Sequence, residues 1–65
     1  MTVEEVAAEV ERIRAIRGDD EMAHSAEDDL WEKVLETIAC GSGDAEDLAS
    51  AALRTREIDF SRWCA

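Results

Sequence analysis

The sequence predicts an all-α fold: a small three-helix bundle closed by an aromatic C-terminal tail or a short fourth helical turn. Apolar residues recur at three- and four-residue spacing in three successive runs, from Val3 to Ile16, from Met22 to Ile38 and from Leu48 to Leu53. Each run is preceded by a Thr or Asp whose side chain can cap a helix start. Proline is absent, and no β-branched run or alternating apolar and polar segment supports a strand.

In the first run, Thr2 with Glu5 three residues on forms a capping box, in which each side chain satisfies an amide at the helix start. Val3, Val6, Val10 and Ile13 then make one narrow aliphatic stripe, with Ile16 just off its line. Glu4, Glu5 and Glu9 come early and Arg12, Arg14 and Arg17 late, the order that the helix dipole prefers. Gly18 can take a left-handed cap conformation, so helix one is expected over about residues 3–17.

Asp19 or Asp20 can cap the second helix, while Ser25 with Asp28 offers a later start inside the same run. An unbroken every-fourth-residue row of Met22, Ala26, Leu30, Val34 and Ile38 favours the earlier start. The row is flanked by Ala23, Trp31 and Leu35, and an early start leaves Ser25 facing solvent. The helix is expected over about residues 20–40, ending before Gly41-Ser42-Gly43, the one glycine cluster. Asp44, with Asp47 three residues on, opens a third helix over about 45–55, whose Leu48, Ala49, Ala51, Ala52 and Leu53 make an alanine-rich face. The tail, 57–65, carries Ile58, Phe60 and Trp63, and Asp59 can cap a final turn. Phe60 and Trp63 can each bury roughly 150–250 Å², so they are expected to close the core against helix two or to dock on a second subunit.

Sixty-five residues make one domain, and a chain of that length buries only about 60% of the surface it exposes unfolded, so self-association would help it. Seventeen Asp and Glu against seven Lys and Arg leave a net charge of −10. That balance argues against direct contact with nucleic acid or an anionic membrane and favours a basic protein partner. The N-terminal segment MTVEEVAAEVE lacks the positive region and apolar core of a signal peptide, and nothing in the chain is long and apolar enough for a membrane span. A cytoplasmic protein with reduced thiols is therefore expected. Cys40 and Cys64 lie far apart and outside any C-x-x-C spacing, and one histidine cannot complete a zinc set, so no metal or other cofactor is expected. Nothing resembles an activated nucleophile, and no enzymatic activity is expected.

His24 has Asp20, Glu21, Glu27 and Asp28 as its neighbours three and four residues away on a helix, an all-acidic surround that favours the imidazolium ion. A solvated acidic face is the plain interpretation. Glu21-x-x-His24 is also the spacing of helices that hold di-iron centres, and a dimer would supply it twice, so a metal-binding dimer is one alternative. Trp31 sits at the edge of the aliphatic row, either in the core or half exposed among Asp28, Asp29 and Glu32 as a binding hot spot. The acidic run through Glu36 either keeps the chain soluble or imitates the charge of nucleic acid and occupies a basic cleft. His24, Glu27, Asp28, Trp31, Phe60 and Trp63 form the candidate interaction surface.

HSAED, followed by L-x-x-x-VL-x-x-IA and the terminal EIDFSRWCA, resembles a group of small proteins met in actinobacterial phages and their hosts. The resemblance covers roughly residues 19–65. It implies a phage or prophage accessory protein acting in the host cytoplasm, and carries over no functional residue. Together these features predict a non-enzymatic acidic helical protein that binds a host protein or itself. An acidic nucleic-acid mimic is the alternative of a different class.

Overall fold

Three α-helices form where the spacing predicts them: α1 over Val3–Ala15, α2 over Asp20–Ala39 and α3 over Ala45–Leu53, followed by a 3₁₀ turn at Arg54–Glu57. The computed structural model describes residues 1–62, and among these there is no strand. The predicted capping box closes α1: the Glu5 amide donates to the Thr2 hydroxyl at 3.1 Å and the Thr2 amide donates to Glu5 Oε1 at 2.8 Å. The bond from the Thr2 amide, and after it the Thr2 hydroxyl, hold the Glu5 carboxyl below its ordinary range. Asp19 caps α2 by accepting from the Met22 amide at 3.1 Å, so the earlier of the two starts is the one used and Ser25 is exposed.

Other helix ends differ from expectation. Gly18 has no positive φ, and Ile16 caps α1 instead, its amide donating to the Arg12 and Ile13 carbonyls, while the Arg17 guanidinium donates to the Arg14 carbonyl. Among the described residues only Gly41, φ 91°, takes the left-handed conformation, and its amide closes the α2 terminus on the Ile38 carbonyl at 3.0 Å. Asp44 stands at the start of α3 without capping it by side chain, because its carboxylate accepts from the Ser42 hydroxyl. α3 gives way at Arg54 to the 3₁₀ turn, and residues 59–62 follow with no final turn at Asp59.

The core takes Val6, Val10 and Ile13 from α1, Ala23, Leu30 and Val34 from α2, Leu48 and Ala52 from α3, and Ile58 and Phe60 from the tail. Each of the three helices packs on both others. The seam of α2 therefore runs Ala23, Glu27, Leu30, Val34, not along the every-fourth-residue row that begins at Met22. At 3.6 residues per turn a four-residue step overshoots by about 40°, so a strict row winds off the buried face. Met22 is 58% exposed for that reason, and a glutamate stands where the seam reaches position 27.

Length decides how the bundle is covered. α2, with 20 residues, is about 30 Å long, whereas the nine residues of α3 reach only about 13 Å. α3 runs back along the C-terminal half of α2, and the 3₁₀ turn and tail continue the same path: Thr55 meets Trp31, Arg62 meets Glu27 and Ser61 meets Asp20. The tail thus serves as the second half of a third helix.

Candidate interaction surface

Glu27, on the α2 seam, is 4% exposed and is held by Arg62 in a two-pronged ion pair, Nε to Oε1 and Nη2 to Oε2, both at 2.8 Å. The same guanidinium donates to the carbonyls of Thr55 at 3.0 Å and Phe60 at 3.3 Å, and its Cζ lies 3.8 Å from the centre of the Phe60 ring. One arginine thereby neutralises a buried carboxylate, ties off tail carbonyls and covers an aromatic face. The Arg62 hydrogen bond outweighs burial and holds the Glu27 carboxyl below its ordinary range, while Glu27 raises the Arg62 guanidinium in return. Nearby, the Ser61 amide donates to Asp20 Oδ1 at 3.0 Å.

Trp31 is half-buried beside this clasp. Its indole N–H is shared between the Ala52 carbonyl at 3.2 Å and the Thr55 hydroxyl at 3.1 Å, and that hydroxyl donates to the Ala52 carbonyl. The ring therefore pins the α3 terminus to the middle of α2. No buried side-chain nitrogen or oxygen among the described residues lacks a partner.

His24, Glu27, Asp28 and Trp31 line one depression of about 350 Å³, together with Arg56 and Arg62. His24 Nε2 lies 3.5 Å from Asp28 Oδ1. Of the four carboxylates around His24, two are turned to the tail: Asp20 accepts from Ser61 and Glu27 from Arg62. Phe60 lies in the core below Arg62, and Trp63 lies outside the described residues. No group of three or more His, Cys, Asp or Glu among the described residues is placed to hold a metal ion.

Sequence reasoning passed over Arg62, Arg56, Leu35 and Leu53. Arg62 left no local signal, because its partner Glu27 stands 35 residues away in the chain. Leu35 and Leu53, 65% and 49% exposed, flank a groove between α2 and α3, and the other large exposed apolar side chains among the described residues, Met1 and Met22, line a cleft between α1 and α2. No helix among the described residues is long and apolar enough to cross a membrane. The chain matches no protein-family model, no curated protein and no solved structure.

Proposed function

We propose that this chain is a non-enzymatic, acidic interaction module that binds a protein partner, the partner being basic. One observation carries the proposal: the four large exposed apolar side chains among the described residues, Met1, Met22, Leu35 and Leu53, line clefts on the two flanks of α2, where a second protein would bury them. The carboxylates exposed along α2 would steer a basic partner on approach, and the apolar lips would hold it. Glu27, Trp31 and Arg62, the side chains richest in polar contacts, are engaged within the fold, which favours binding over chemistry. The sequence resemblance adds a phage or prophage accessory origin to the proposal, with a host protein as partner and the host cytoplasm as its setting.

The competing proposal, an acidic mimic of nucleic acid, draws on Asp28, Asp29, Glu32 and Glu36, all exposed on α2. Capture of partners from an actinobacterial lysate at low and high salt, with mass-spectrometric identification and a sedimentation mass for the chain alone, separates the two. A specific partner retained at high salt supports the module; capture of DNA-binding proteins that salt abolishes supports mimicry. A pure monomer that captures nothing specific at either salt rejects both.

A further inference from the structure

The groove between α2 and α3 has a floor of Val34 and Ala52, ends at Trp31 and Ile38, and lies open between Leu35 and Leu53; no α1 residue lines it. Its volume of about 170 Å³ is below the roughly 300–1,000 Å³ of small-molecule sites. Such a space accommodates side-chain knobs. On α2 its residues stand at positions 31, 34, 35 and 38, a stripe two turns or about 10 Å long with Val34 buried, Trp31 and Ile38 half-buried and Leu35 exposed, the length over which another helix presents two anchors one turn apart.

The lips carry one sign of charge. Glu32 and Glu36 are exposed on the outward side of Leu35, and Glu46, two turns before Leu53, is exposed on α3. The cations of this region face elsewhere: Lys33 lines the α1–α2 cleft, Arg54 the space between α1 and α3, and Arg56 the depression beside His24. A second copy seated here would set carboxylates against carboxylates on two chains of net charge −10, so self-association is disfavoured at this face.

We infer that the α2–α3 groove is a docking site for an amphipathic helix of another protein, one that presents two aliphatic or aromatic anchors a turn apart between Lys or Arg flanks. This rests on the interaction-module reading and names the chemistry of its partner. The docked helix lies on the open side of the α2–α3 pair and completes a four-helix arrangement with α1 on the other.

Titration of the isotope-labelled full chain with three synthetic peptides of about 15 residues, long enough for partial helix, tests it by NMR. The first carries a Leu stripe with Lys flanks, the second the same stripe with Glu flanks, and the third Ser in the stripe with Lys flanks. The first is expected to shift the Leu35, Ile38 and Leu53 signals saturably, and the other two to leave them in place. Leu35→Asp and Leu53→Asp are each expected to weaken binding about tenfold while keeping the fold, since both side chains are exposed. Because either substitution adds negative charge, general attraction to Lys would grow, and the loss reports the groove. Unchanged or tighter binding by the variants, or shifts confined to the α1–α2 cleft, overturns the groove and leaves the module standing. Equal binding of the Glu-flanked peptide overturns the basic-partner assignment. No binding by any peptide overturns the docking site, while the lysate capture separately decides the module.

Discussion

The two halves of α2 are covered by different means. Along the C-terminal half, α3 packs through Leu48 and Ala52 and leaves Leu35 and Leu53 at an open apolar groove. Along the N-terminal half α3 is too short to reach, and an extended tail closes the side that α1 leaves open with Ile58 and Phe60, held by Arg62 on Glu27 and by Ser61 on Asp20. An irregular strap presents backbone groups that a helix would satisfy internally, so its covering must be polar and specific. The buried and half-buried polar groups of the clasp thus serve the architecture, whereas the apolar side chains that the fold leaves uncovered lie at the groove beside α3 and the cleft beside α1.

The comparison breaks most visibly if the strap is removed. Ending the chain after Glu57 deletes Ile58 and Phe60, at about 2 kcal/mol each, along with the clasp. A core of this size supplies only about 3–5 kcal/mol, so the truncated chain is expected to lose its helical circular dichroism. A helical, cooperatively melting fragment would show that α1, α2 and α3 suffice.

A smaller effect follows from acid. The Glu27 carboxyl is lowered in the fold by Arg62, so its contribution is fully present above the ordinary unfolded value of about 4.3 and is lost as pH falls through the lower folded value. Denaturant melts of the wild type and Glu27→Gln are expected to differ by a constant amount near neutrality and to converge in acid below that window. A gap that persists to the lowest pH would assign the loss to packing.

Smaller still is Trp31→Phe, which keeps an aromatic ring but removes the shared N–H bond to Ala52 and Thr55, for about 1 kcal/mol. At the bottom of the order, Leu35→Asp is expected to move stability by less than about 0.5 kcal/mol, because the side chain already faces solvent. Should Leu35→Asp cost more than Trp31→Phe in thermal melts, the C-terminal half would be the stabilising one.

Local signals were legible in the sequence because their causes are local. The Thr2–Glu5 box, the Asp19 cap and the Gly41 break each depend on residues within one turn, and they place three helices correctly. Phe60 was legible as a candidate to close the core because a large aromatic side chain is costly to leave in water. The strap itself was not, since Glu27 and Arg62 stand 35 residues apart and nothing local ties them. The drift of a four-residue row hid both the exposure of Met22 and the seam position of Glu27. Asp44 illustrates a different limit: a good capping residue was taken by the Ser42 hydroxyl, a competition that propensity does not resolve.

A double-mutant cycle between Glu27→Gln and Arg62→Met, measured by denaturant unfolding at neutral pH, tests most directly whether the clasp holds the N-terminal half closed. Arg62 is 35% exposed at its side chain and Glu27 only 5%, so solvent screens part of the pair and a coupling of about 1–2 kcal/mol is expected. Additive losses, with coupling near zero, would contradict this and leave Ile58, Phe60 and the Ser61–Asp20 bond to hold the strap on α2.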